Sequence, residues 1–165
     1  MLHKATIAGL AIDPASNTPI IILKTEAQER TIPIWIGLLE ATSIASALQN
    51  IEFERPMTHD LFKNFSEYLD VQVTKVEVCD LRENTFYALI HFLCQEQAFT
   101  MDARPSDAIA IALRFKAPIF VDDKVIEKSQ QDNGEAEVLD QSEEGKKWAE
   151  YLEKLSPEDF GKYKV

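Results

Sequence analysis

The 165-residue sequence predicts an α+β domain in which a β-β-β-α unit occurs twice. The units are expected to share one mainly antiparallel sheet, with a C-terminal helix after them. Three observations predict this. The chain matches itself without gaps at an offset of 67 residues. Asp13, Asn17, Thr18, Gln28, Glu29, Ala41, Ile44 and Ala45 fall on Asp80, Asn84, Thr85, Gln95, Glu96, Ala108, Ile111 and Ala112. Chance gives about two identities over such a window, since one residue type is usually ~5–8% of a chain. The apolar pattern agrees too, with Ile32 and Ile34 falling on Phe99 and Met101. Finally, short strand-like runs alternate with turn-rich stretches in both copies, as hairpins require.

Residues 4–12 read as the first strand and Asp13–Thr18 (DPASNT) as its turn. Pro19–Lys24 is an apolar run of strand length, and Arg30–Ile36 alternates as a third strand. Leu38–Gln49, rich in Ala and Leu, reads as a helix. The second copy gives strands over 71–79, 85–94 and 97–102, a turn at 80–84 and a helix over 105–115. Two units are too few for a solenoid. Repeats 4–49 and 71–116 are therefore expected to be halves of one domain, related by a pseudo-twofold, with a site where they meet. Between them, His59–Leu69 carries Leu61, Phe62, Phe65 and Leu69 at helical spacing. Pro118–Val121 reads as a short last strand.

The domain is expected to span 1–128. Residues 129–142 are polar and Gly-punctuated and read as a linker. In the tail, 143–165, a helix from about Glu143 to Leu155 would align Trp148, Tyr151, Leu152 and Leu155. Such a helix is marginal alone and must pack on the core or on another subunit. A homo-oligomer is expected, a dimer being the commonest closed form.

The formal net charge is −11. Residues 122–165 hold 13 acids against 7 bases, and residues 1–121 hold 15 against 10, so the tail hides no basic core. The electrostatic footprint of a nucleic-acid binder is missing. No apolar run has the length of a membrane span, and the N-terminus lacks signal-peptide features. Cys79 and Cys94 have no metal-ligand spacing, so reduced thiols in a cytoplasmic protein are expected. The chain has only five glycines and no phosphate-cradling loop. No Ser-His-Asp or Cys-His arrangement is legible.

Four segments stand out: RTIPIWIGLLEA (30–41), RPMTHDL (55–61), NTFYA (84–88) and DARPSDAIAIALR (102–114). In the last, Pro105 suits the first helical position, and Asp107 follows near free backbone N–H groups. Its repeat mate Glu40 follows Gly37 in the same way. Both acids read either as helix caps or as ligands. In the second case Asp102, Asp107 and Glu40 would hold a divalent metal, Mg or Mn, which activates water and neutralises a phosphodiester. Arg104 reads as a structural ion pair, with phosphate contact as its other use. In RPMTHDL, Thr58 suits the N-cap and Asp60 the first helical turn. His59, beside Asp60 and close to Arg55, is the best titratable candidate: a general base, a metal ligand or a phosphate contact. Trp35 reads as core or interface packing, and His91 as a satisfied sheet residue.

Taken together, the four motifs resemble the bifunctional nuclease domain family over about residues 3–127. The resemblance implies cleavage of DNA and RNA, with nucleic acid as partner. His59, Asp107 and Glu40 would then be catalytic, Arg55 and Arg104 would bind substrate, and Asp102, Asp107 and Glu40 would hold metal. The UVR-type helical ending common in that family is not found in 129–165. The other reading is a non-catalytic homo-oligomeric binding or regulatory module.

Overall fold

The computed structural model describes residues 1–27 and 30–132. It is an α+β fold: a seven-stranded sheet with helices on one face. The order is β1 (Leu2–Asp13), β2 (Thr18–Thr25), β3 (Thr31–Trp35), α1 (Leu38–Leu48), α2 (Thr58–Tyr68), β4 (Val71–Arg82), β5 (Thr85–Cys94), β6 (Gln97–Ala103), α3 (Pro105–Phe115), β7 (Ile119–Asp122) and α4 (Asp123–Asp132). Across the sheet the strands run β3-β2-β1-β7-β4-β5-β6. Every neighbouring pair is antiparallel except β4 with β7, so the sheet is mixed.

Local chemistry sets these elements. Asn17 (φ 55°) and Asn84 (φ 58°) turn the β1–β2 and β4–β5 hairpins through the left-handed region, which Asn tolerates better than most residues. In the first hairpin the Asp13 carboxylate accepts from the Ala15 N–H (3.0 Å), the Ser16 hydroxyl (2.6 Å) and the Trp35 indole (3.2 Å). Trp35 is therefore a half-exposed turn clamp rather than a core residue. Pro105 opens α3 at a position where its missing N–H costs nothing. Lys116 closes that helix in the left-handed conformation (φ 54°).

Alternation puts Ile21 and Leu23, Ile32 and Ile34, Val76 and Val78, Ala88 and Ile90, and Ile119 and Val121 on the helix side. These pack with Ala41 and Ile44 of α1, residues 108–112 of α3, and Val125 and Ile126 of α4 into one core. The opposite face carries Lys75, Glu77, His91 and Asp102. There His91 pairs with Glu77 (3.1 Å), the satisfied sheet histidine that the sequence suggests.

The offset seen in the residues recurs in the elements. Helices α1 and α3 begin at 38 and 105, and β2 and β5 at 18 and 85. Helix α4 has no counterpart in the sequence reading. Residues 129–132, expected to begin a linker, instead complete this helix, with Ser129 buried. The remaining linker and the tail helix lie outside the described residues. No helix among the described residues is long and apolar enough to cross a membrane.

Helix α4 is tied to the sheet by Lys128, which donates to Asp80 (3.0 Å) and to the Leu81 carbonyl (2.8 Å). With Arg82 on its other oxygen (2.6 Å), Lys128 holds the Asp80 carboxyl far below the ordinary carboxylate range. A depressed folded pKa contributes stability above the unfolded pKa, and that contribution is lost as pH falls through the folded value. Asp80→Asn should therefore lower the urea midpoint at neutral pH. The gap to wild type should close as pH falls well below about 4, the unfolded carboxylate value. A pH-independent gap would contradict this account.

Candidate active site

Helices α1 and α3 pack side by side, and the N-terminus of α2 lies against both. Glu40 is the third residue of α1 and Asp107 the third of α3. Gly37 and Arg104 are the corresponding N-cap residues, and neither helix has a side-chain cap. Glu40 and Asp107 themselves sit in the first turn, at the positive end of each helix dipole. Both carboxylates point at one guanidinium. Arg104 donates from Nη2 to Glu40 Oε1 (2.8 Å) and from Nε to Asp107 Oδ2 (2.7 Å). Gly37 leaves room for this, because a Cβ there would collide with the Glu40 carboxylate.

The other Asp107 oxygen, Oδ1, meets His59 Nε2 at 3.0 Å. His59 Nδ1 in turn meets the Ser43 hydroxyl at 2.8 Å. The result is a continuous chain: Ser43, His59, Asp107, Arg104, Glu40. It draws on three helices and on residues 67 positions apart. His59 is largely buried (14% exposed), whereas Arg104 is 67% exposed.

Charge fixes the protons. Burial pushes the Asp107 carboxyl upward, but hydrogen bonds from Arg104 and His59 outweigh it and hold the group below its ordinary value. Asp107 is thus a carboxylate that only accepts. The Arg104 pKa is raised, first by its hydrogen bond to Asp107 and then by that carboxylate's charge. In the neutral imidazole the Nε2–H donates to Asp107, and the Nδ1 lone pair accepts the Ser43 O–H.

A second cluster holds α2 in place. Arg114 of α3 is 7% exposed. Its Nε donates to Asp60 Oδ1 (2.5 Å), and its Nη1 to the carbonyls of Ala110 (2.9 Å) and Ser43 (3.3 Å). The other Asp60 oxygen accepts the Met57 N–H (3.0 Å). Met57, not Thr58, is the N-cap residue, and Thr58 is already helical. Asp60 reaches back to the chain entry and leaves the threonine no capping role.

Of the residues singled out in the sequence, Glu40, His59, Asp107 and Arg104 come together. Arg104 forms the ion pair expected of it. Asp102 does not join them: it lies on β6 opposite Leu89, and alternation turns it to the helix-free face of the sheet. Arg55 is exposed in the loop before α2 and is absent from the chain of contacts. The member that sequence reading missed is Ser43, which completes a Ser-His-Asp order. Its only sequence signal is its place three residues after Glu40, one turn along the same helix face.

The donor set can be tested against a divalent cation. Such an ion needs several converging oxygens. Arg104 fills the space between Glu40 and Asp107, His59 takes the remaining Asp107 oxygen, and Asp102 is on the other face. Among the described residues no three His, Cys, Asp or Glu side chains form a metal-ligand group. The residues in this arrangement do not fit the metal.

The clamp carries a clear expectation. Arg114→Met would leave the Asp60 carboxylate half-buried and unpaired. Removing one partner of a buried pair is costly, and the partial exposure of Asp60 discounts this to about 2–3 kcal/mol. Urea denaturation measures it, and a loss under ~0.5 kcal/mol would mark the pair as ordinary surface electrostatics.

Comparison with known proteins shows the family. The profile of the bifunctional nuclease domain matches residues 21–134. An uncharacterized protein of Mycobacterium tuberculosis is 35% identical over 164 residues, covering 96% of this chain and 98% of its own length. Bifunctional nuclease 2 of Oryza sativa subsp. japonica is 30% identical over 118 residues, 68% of this chain and 36% of the plant protein. Bifunctional nuclease 1 of Arabidopsis thaliana is 29% identical over 124 residues, 73% of this chain and 38% of the plant protein.

Proposed function

This chain belongs to the bifunctional nuclease domain family, and on that premise we propose that it hydrolyses phosphodiester bonds of DNA and RNA at the His59–Asp107 cluster. One observation carries the reading. A histidine stands between a hydroxyl and a carboxylate, beside an exposed arginine whose counter-charges are already fixed. Asp107 holds the ring of His59 and stabilises the imidazolium that forms when Nδ1 takes a proton. Arg104 uses Nε and one Nη2–H on its two acids. Its remaining N–H groups belong to a side chain that is 67% exposed and suit the paired oxygens of a phosphodiester. Glu40 keeps that guanidinium in place. We also propose that the repeated halves are a true duplication, so that Glu40 and Asp107 are equivalent positions adapted to grip one arginine.

The test is cleavage of a labelled oligonucleotide by highly purified protein, with and without EDTA. Cleavage should persist in EDTA and fall at least ~100-fold in His59→Ala, the usual scale of general acid–base catalysis. A strict need for Mg or Mn would mean that a cation displaces Arg104, and it would return Glu40 and Asp107 to the ligand role.

A second reading, a homo-oligomeric binding module, is favoured by a different observation. Ile32 and Ile34 on β3 are 0% and 2% exposed, while their sequence mates Phe99 and Met101 on β6 are 42% and 51% exposed. Helix α2 also turns Leu61, Phe65 and Tyr68 outward, and its C-cap residue Leu69 is exposed too. Together these half-exposed side chains offer roughly 500 Å², over half of the ~800 Å² per partner in a stable interface. Among the described residues β6 is also an edge strand, with one backbone row outside the sheet's pairing. We propose that a second copy of this chain covers this surface. Sedimentation should show a dimer at micromolar concentration and a monomer for Phe65→Glu. A monomeric wild type would remove this reading and leave the enzymatic one untouched.

A further inference from the structure

We propose that Ser43 is the nucleophile of this site and forms a seryl-phosphate intermediate; the inference rests on the phosphodiesterase reading above. Helical serines commonly turn back to hydrogen-bond a carbonyl in the preceding turn. Ser46 does so, donating to the Ser43 carbonyl at 3.0 Å. Ser43 instead aims its hydroxyl at His59 Nδ1 at 2.8 Å. The other ring nitrogen is committed to an ionised carboxylate, which leaves Nδ1 as the acceptor. This is the order of a Ser-His-Asp relay with the two ring nitrogens exchanged. Such relays are defined by geometry and roles, not by chain position. The backbone is held as well, since the Ser43 carbonyl accepts from both Ser46 and Arg114.

In the first step the Ser43 Oγ–P bond forms while the bond from phosphorus to the departing nucleotide oxygen breaks. The seryl proton passes to His59 Nδ1 and then to the departing oxygen. In the second step water attacks phosphorus and gives a proton to Nδ1. The Oγ–P bond breaks, and the proton returns to Ser43 Oγ. The sum is hydrolysis of one phosphodiester by one water. Asp107 holds the imidazolium in both steps and stays ionised.

The experiment treats the full chain with diisopropyl fluorophosphate and maps the adduct by mass spectrometry, alongside oligonucleotide cleavage. Wild type should gain one dialkylphosphoryl group, on Ser43, and His59→Ala should label at least ~100-fold more slowly. Ser43→Ala should cut cleavage by ~10⁴-fold, the scale of disabling a relay member. Thr42→Ala on the same helix should stay within about twofold. Ala is the best helix former, so Ser43→Ala should keep its helical circular dichroism. Absence of a Ser43 adduct in folded wild type overturns the proposal. So does wild-type cleavage that Ser43→Ala retains within about tenfold, the result expected if Ser43 only positions the ring; the nuclease reading then stands. A Ser43 adduct with no cleavage of any nucleic acid sinks the nuclease reading and keeps the nucleophile.

Discussion

The site depends on one buried cation. Arg114 leaves α3, crosses to the carbonyl of Ser43 on α1 and neutralises Asp60 on α2. It adds a second tie, beside the His59 contacts, between the α2 N-terminus and the helix pair. His59 precedes Asp60 directly, so any movement of Asp60 moves the imidazole. Desolvating a guanidinium is expensive, and here the cost is offset by bonds from Nε to the Asp60 carboxylate and from Nη1 to two carbonyls. The geometry at His59 is therefore set by a neighbour that takes no part in the chemistry.

Arg104 plays the complementary part at the surface. It draws two carboxylates from different helices into one place and cancels their mutual repulsion. Both acids sit in the first turn of a helix, where the positive end of the dipole already favours them. That leaves a compact group of fixed charge in a chain whose net charge is −11. An approaching phosphate meets an exposed guanidinium before it meets the acids behind it. This answers in part the difficulty that the protein lacks a basic groove. Local charge at the reacting point can be positive although the whole molecule is not.

Much of this was legible in the sequence. Hairpins at 13–18 and 80–84 were marked by Asn, Asp and Thr with turn chemistry. The start of α3 was marked by Pro105, and α2 by the spacing of its apolar residues. His59, Asp107, Glu40 and Arg104 could be named because each combines titratable chemistry with a helix start. Three things were not legible. Ser43 is an ordinary helix residue until another helix brings a histidine to it, and that contact is tertiary. Asp102 stands close in sequence to Asp107, but strand alternation sends it to the opposite face. Helix α4 is polar apart from Val125 and Ile126, too few apolar residues to declare a period, and its anchor Lys128 finds Asp80 only after folding.

The two ends of the sheet differ in how far their edge strands are covered. β3 and β6 close opposite edges, and their central residues are apolar in both halves. Only in the first half are those residues fully covered. In the second, α3 lies over β4 and β5, and among the described residues Phe99 and Met101 of β6 stay half-exposed. Leu61, Phe65 and Tyr68, exposed on α2, belong to the same helix that brings His59 to Asp107. A partner seated on that surface would press on the helix that carries the histidine, so assembly and catalysis would be coupled through α2.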